Sequence, residues 1–464
     1  MPLYPIVDDQ ATLETSMYAL LVSVDKRLSD AHPGADFSIK EVNETQVAII
    51  LACLALGCQF AELDAASRQE GSQDLISRSN KCLQEANYTL NPSVEVVQAL
   101  LLVGLAQQNL EQSDAAWMLL GMTHRMAQTL GMDKSQNTIN YTPSTDQVHP
   151  LWNAILWQDA LLCLRYDRRP LSYNISILDL DGADALKQTT SYTEAMNRIC
   201  LITRHLLSES GPQPQDTNER LRLLSQIQDI LLRSCDRFHD DELARTFQQR
   251  AEHLLLKLHS GFVSAEICRP GLGNSATTGI SNRDSSHHQL HEQGIISLET
   301  CLQSFVELCC FNRFPLRSWS VTQAAISSSF LLALLLPQLS NDTSDVAPVV
   351  TLLRRVSESL WTDTSPPRGA GEIRKPCVGL SVTRMKASRL LAHILDEVAN
   401  PSAGPVLDKT ATAVAVPGLH ITNSWAATQD ISDWPLDLSL LDPAFSANML
   451  DFELDQEWWL NEGL

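Results

Sequence analysis

The sequence predicts an all-α protein: a large multi-helix bundle of antiparallel helix pairs, followed by a mostly disordered acidic C-terminal tail. Apolar residues recur at helical steps in segment after segment between residues 41 and 397. A chain of 464 residues, 44% hydrophobic and 19% charged, has an ordinary globular composition and enough length to bury one large core. From Val398 the character changes, first to small residues, Pro and Gly, then to acidic residues interleaved with large apolar ones. The reading divides the chain into an N-terminal segment (1–40), a helical domain (41–397), a linker (398–420) and a tail (421–464).

In chain order, Leu13 to Leu28 is weakly helical and ends before the His32-Pro33-Gly34 break. A stronger helix follows from Glu41 to Leu63, with Val47, Ile50, Leu51, Leu54 and Cys58 as its buried stripe. Asp74 to Tyr88 and Pro92 to Asn109 come next, and the latter is apolar almost all round, as an interior helix is. Ser113 to Asp133 carries Leu119, Met122, Met126 and Leu130 on one stripe. Ser113 or Asp114 can cap its start, and Gly131 supplies the left-handed residue that ends it. The next helix starts around Pro150 and places Trp152, Ile155, Leu156, Leu162, Cys163 and Tyr166 at helical spacing.

After Pro170 a loop runs to Lys187; helices resume at Tyr192 to Ser208, Asn218 to Arg237 and Phe247 to Glu266. Gly271 to Gly294, rich in Gly, Ser, Asn and Thr, reads as a mobile loop. Its His287, His288 and His291 lack the carboxylate shell that orients metal-binding histidines, so no metal is assigned. Ile295 to Phe311, Trp319 to Leu336 stopped by Pro337, Val349 to Trp361 and Ser381 to Glu397 complete the bundle. No fixed repeat of solenoid length is present.

Asp159 lies on the apolar stripe of its helix, where an unpaired carboxylate would cost several kcal/mol, so a cation must meet it. Arg125, Arg165 and Arg169 are the candidates, and a structural ion pair is favoured over a catalytic group.

Two motifs surround this residue. Ala116, Trp117, Gly121, Arg125, Leu130 and Gly131 form the first; Trp152, Asp159, Arg169 and Pro170 form the second. Together they resemble the fungal-specific transcription-factor regulatory domain, the middle homology region of zinc binuclear-cluster regulators. The later Arg269-Pro270 resembles the end of another helix of that family, and the resemblance spans Glu41 to Glu397. Ala160 and Arg168 depart from the pattern, which usually has Arg and Gly there. The resemblance implies a structural-core role for Trp117, Gly121, Arg125, Gly131, Trp152, Asp159, Arg169 and Pro170. It also implies a transcriptional role, in the nucleus, with metabolic and secondary-metabolite gene clusters as family-typical targets.

Charge and chemistry narrow the mechanism. A formal charge of −21 opposes autonomous DNA binding, which needs a basic face to displace counterions from phosphates. Eleven scattered cysteines with no C-x-x-C pair form no zinc framework, and the six-cysteine cluster of the zinc regulators is not in this sequence. DNA is therefore expected only through a partner or a missing N-terminal zinc cluster. No signal peptide is read in residues 1–30, and the longest apolar runs, Val47 to Gly57 and Phe330 to Leu336, are too short for a bilayer, so no membrane role is assigned. No Gly-rich phosphate loop, nucleophile elbow or H-E-x-x-H is present; no catalytic residues and no cofactor are assigned. Arg368, Arg374, Lys375, Arg384, Lys386 and Arg389 make one locally basic stretch, read as a solvated face rather than an import signal.

The segment Ile421 to Leu464 holds nine acidic residues and no Lys or Arg. Mutual repulsion keeps such a chain open, leaving Trp434, Leu436, Leu438, Leu441, Phe452, Leu454, Trp458 and Trp459 available to a partner's groove. This is the composition of an activation segment that recruits transcription machinery or a co-activator. Docking of the tail on its own bundle is the competing reading, and a helical interaction scaffold with no promoter role is the alternative function. A small-molecule effector and a dimer are compatible with the bundle. No effector pocket is assigned, though Trp117, His124, Trp152 and Asp159 can approach one another between helices.

Overall fold

The structure, a computed structural model, describes Ile6, several positions from 11 to 22, and residues 43–133 and 150–171 except 167. It further describes 191–234 except 209–210 and 213–215, then 246–272, 285–339, 343–361 and 382–399. The linker, the acidic tail with all eight of its partner-binding candidates, and Arg368, Arg374 and Lys375 lie outside these residues. Among the described residues the fold is all-α with no strand.

Local capping sets the first helices. Asn43 Oδ1 accepts from Thr45 N–H at 3.0 Å to start α1 (Glu44–Phe60), and Asp64 Oδ1 accepts from Ser67 N–H at 2.9 Å to start α2 (Ala65–Glu85). The Asp64 cap starts α2 nine residues before Asp74, where apolar spacing alone placed it. The two helices are antiparallel neighbours, and Ser93 caps α3 (Val94–Asn109), which packs on both. Gln59, buried between them, donates to Ser72 Oγ (2.9 Å) and the Ala106 carbonyl (2.8 Å) and accepts from Asn109 Nδ2 (3.0 Å). A buried amide with these partners fixes the register of three helices.

Of the expected stripe on α1, Ile50 is buried, and Ala48, Ile49, Ala52, Ala55 and Gln59 are buried with it, whereas Leu54 is 44% exposed. In α4 (Ser113–Thr129) the expected Met126 is buried together with Ala116, Leu120, Thr123, His124 and Ala127, and Leu130 is 36% exposed. Small side chains on both buried faces let neighbouring backbones approach, so part of each expected stripe is left towards solvent. Neither Ser113 nor Asp114 caps α4; Gln112 is its N-cap residue and makes no side-chain cap bond. Gly131 does terminate it, at φ +73°, with Met132 N–H donating to the Ala127 carbonyl at 3.0 Å.

The chain continues through α5 (Pro150–Tyr166), α6 (Tyr192–Leu206), α7 (Thr217–Leu232), α8 (Phe247–Leu272) and α9 (Ser285–Phe311). After a 3-10 turn at Phe314–Arg317 come α10 (Trp319–Leu339), α11 (Thr343–Trp361) and α12 (Val382–Ala399). The expected loop Gly271 to Gly294 is a correction: α8 extends to Leu272 and α9 already begins at Ser285, so His287, His288 and His291 sit on its first turns. Packing explains it. Leu290 is fully buried, and added Cβ atoms at Gly271 and Gly294 would stand 2.7 Å from Leu290 Cβ and Leu272 Cδ2. Those glycines serve close helix approach, the reverse of the loop reading.

α10 also runs past Pro337 to Leu339. Burial of Leu336, with Leu339 packed against the core, outweighs the one backbone bond that proline forfeits. An 18-residue window of this helix, Trp319–Leu336, has mean hydropathy 1.5 and is long and apolar enough to cross a membrane; 78% of it is buried inside the bundle, as a core helix is.

One continuous apolar core runs from Ala48 in α1 to Leu395 in α12. Arg317, in the 3-10 turn before α10, ties that turn to α1, donating from Nη1 to the Phe60 (2.8 Å) and Ala61 (3.1 Å) carbonyls at its C-terminus. Arg384, assigned above to a solvated face, is 2% exposed and donates to the Leu316 carbonyl at 2.7 Å. Arg389 of the same helix is exposed and lies over the Trp361 ring.

Candidate functional site

The two sequence motifs meet where α4, α5 and α6 pack. Asp159, fully buried on α5, faces Arg204 of α6, with Arg204 Nε 3.6 Å from Asp159 Oδ2 and the arginine side chain 2% exposed. The same Oδ2 accepts from Leu171 N–H at 3.1 Å, and the Cys163 thiol lies 3.4 Å from Oδ1. One carboxylate therefore holds three things: its own helix, α6, and the chain reversal after α5. The reversal is fastened twice more, by Arg168 N–H donating to the Cys163 carbonyl (3.0 Å) and by Cys163 Sγ 3.6 Å from the Arg169 carbonyl.

This explains the Asp–Arg-Pro pattern physically. Pro170 is buried and has no N–H to satisfy, and the next donor along the chain, Leu171, is met by Asp159. Burial raises the Asp159 pKa, opposed by the Arg204 charge and the Leu171 N–H; burial likewise lowers that of Arg204, opposed by Asp159. The Cys163 and Cys200 thiols beside them are pushed well up by burial, so they stay protonated.

His124 of α4 is 1% exposed and lies against Trp152 with ring centroids 5.0 Å apart. Neither ring nitrogen has a hydrogen-bond partner among the described residues. Burial first, then the charges of Arg125 and Arg204, lowers its pKa to about 4, so the ring is neutral at neutral pH.

Trp117, His124, Trp152 and Asp159 thus belong to one packed junction. The expected counter-ions do not. Arg125 is exposed and reaches Gln128 Oε1 (3.1 Å), Arg169 is exposed, and Arg165 reaches Ser327 on α10. The cation comes from Arg204, which sequence reasoning missed although it stands four residues after the buried Cys200 on the apolar face of α6. Both departures from the motif are accommodated. Ala160, in place of an arginine, is fully buried, and Arg168, in place of a glycine, stacks over Trp117 (4.6 Å) and Tyr166 (5.0 Å) and pairs with Asp114 (2.6 Å). An added Cβ at Gly121 meets only ordinary contact, 3.9 Å from Leu171 Cδ2.

A model of the fungal specific transcription factor domain matches residues 2–232. That segment belongs to this family. The matched segment contains both motifs and ends with α7, so the Arg269-Pro270 likeness falls outside it, although α8 to α12 share the same core. Membership supports a role in fungal transcription regulation. No curated protein matches the chain. Within the fungal transcription factor domain, the Asp159–Arg204 junction is a lock between helices. Its charges face one another, and its thiols and imidazole hold their protons in the states described.

Proposed function

We propose that this fungal transcription factor domain protein is a transcriptional regulator or co-regulator that acts by presenting the acidic aromatic segment Ile421–Leu464 to the transcription machinery or a co-activator. The helical domain is the regulated platform, and the tail is the effector arm. The observation that carries the reading is the tail's composition, nine acidic residues with no cation around Trp434, Phe452, Trp458 and Trp459, on a chain that carries a segment of this family. Acidic groups keep such a segment open, and coupled folding onto a partner then buries the rings.

The net charge of −21 supports DNA contact through a DNA-binding partner or an upstream zinc cluster rather than through this surface. The working site of such a protein is the nucleus, and a metabolic or secondary-metabolite gene cluster is the target that the family resemblance suggests. The test is a reporter to which the full chain is recruited by a fused heterologous DNA-binding domain. Activation should be lost when residues 421–464 are deleted and when Trp434, Phe452, Trp458 and Trp459 are changed together to Ala. Full activation without the tail sinks the proposal.

A further inference from the structure

The helix pair α11 and α12 carries a face opposite in sign to the chain as a whole. Ser357 Oγ donates to the Ser388 carbonyl at 3.0 Å and Ser388 Oγ to the Ser357 carbonyl at 2.9 Å, which marks where the two antiparallel helices touch. Counted round each helix from that contact at about 100° per residue, Arg354 and Glu358 of α11 fall on the same outer side as Arg389 and Asp396 of α12, and all four are exposed. Arg355 and Lys386 flank this side. Trp361 stands at one end of it, half-buried, with the Arg389 guanidinium carbon 5.4 Å from its ring centroid.

Four cations thus meet two carboxylates among the described side chains of this face, on a chain with 34 Lys and Arg against 55 Asp and Glu. Arg354, Arg355 and Lys386 make no ion pair among the described residues. Clustered cations beside an aromatic ring suit a ligand that is anionic and also brings apolar groups. The chain supplies one itself. Beyond α12, which ends at Ala399, the segment Asp451–Leu460 alternates Asp451, Glu453, Asp455 and Glu457 with Phe452 and Leu454 and closes on Trp458 and Trp459. Residues 400–450 separate the two, a length that reaches at most about 170 Å, against about 27 Å for the whole of α12, so the segment can return to any point of the pair.

We propose that the outer face of the α11–α12 pair is a docking site for the chain's own segment Asp451–Leu460, its carboxylates pairing with Arg354, Arg355 and Arg389 and its rings covering Trp361. Tethering favours this occupant over duplex DNA. A net charge of −21 repels a free polyanion at long range, whereas a segment of the same chain arrives at a high effective concentration. Exposed ion pairs are individually weak and screened by salt, so the contact is reversible. The face lies beyond the family-matched residues 2–232. Its regulatory consequence rests on the function proposed above: docked, Phe452, Leu454, Trp458 and Trp459 are withheld from an outside partner, and a partner that binds them more tightly releases them. The contact itself does not depend on that function.

The test uses the full chain and zero-length carbodiimide coupling, which joins a carboxylate to an amine only where the two are paired, read by peptide mass spectrometry. Arg354→Lys and Arg389→Lys keep the charge and place amines on the face. At low salt these amines should couple to carboxylates of 451–457 at several times the yield of Lys81, an exposed amine on α2, and the yield should fall severalfold at high salt. Arg355→Glu added to either variant should remove most of the coupling, and since all three sites are exposed the thermal midpoint should hold. Coupling no stronger than at Lys81, or coupling that survives Arg355→Glu, overturns the proposal. So does binding of duplex DNA by the full chain that Arg354→Glu and Arg355→Glu together abolish, since the face then serves a nucleic acid. A chain that couples at this face but is silent in the reporter refutes the activation reading alone; one that activates without coupling refutes the docking alone.

Discussion

Removing the Asp159 carboxylate is the sharpest probe of the junction. Asp159→Ala takes the Asp159 carboxylate from Arg204, 2% exposed, and the acceptor from Leu171 N–H. Breaking a buried pair in this way costs about 3–5 kcal/mol. Arg204→Met leaves a buried carboxylate that keeps the Leu171 N–H and can take up a proton, so its cost falls at the lower end, about 3 kcal/mol. The double variant has no orphaned charge, and its loss should be smaller than the sum of the singles by at least ~2 kcal/mol. Urea unfolding of the full chain, followed by far-UV circular dichroism and tryptophan fluorescence, measures all three. A pH series adds a sign. With its folded pKa raised, Asp159 binds protons more readily in the native state than in the unfolded chain. The Arg204→Met variant therefore regains stability as pH falls through that raised pKa and loses it as pH rises. Additivity within about 0.5 kcal/mol, or an Asp159→Ala protein as stable as wild type but functionally dead, would refute the lock and point to a ligand site.

Three further outcomes follow from the same packing. His124, at about 4 in the fold against an ordinary 6.5, contributes stability that is present above pH 6.5 and lost as pH falls towards 4. His124→Phe should remove that slope, worth about 3 kcal/mol across the window, in thermal unfolding at stepped pH. Gly261→Ala should destabilise by about 1–3 kcal/mol in denaturant unfolding. The new Cβ would stand 2.8 Å from the Ser297 carbonyl oxygen and 3.0 Å from Cys301 N, backbone atoms that cannot yield cheaply. Arg317→Met should cost about 1.5–3 kcal/mol through its lost charged hydrogen bonds to the end of α1, and amide exchange should rise at the C-terminus of α1 before it rises elsewhere.

Much of this fold is legible in the chain because its cause is local. Helical spacing locates most of the helices, the all-round apolar run of α3 marks it as interior, and Gly131 ends α4 because only a residue at ease in left-handed backbone does so without cost. Both motif helices and the need for a cation at Asp159 can be read the same way. The supplier of that cation cannot. Arg204 lies 45 residues beyond Asp159 and meets it because α6 packs on α5, while three arginines nearer in sequence point elsewhere. The same limit hides the exposure of Leu54 and Leu130 while alanines of α1 and α4 turn inward, and the burial of Arg384 against the Leu316 carbonyl. It also turns the apparent loop residues 285–294 into helix, because Leu290 and Gly294 find α8. Periodicity and capping act within a few residues; which face turns inward and which charge is paired depend on how closely distant helices can approach, and that is set by the assembled core.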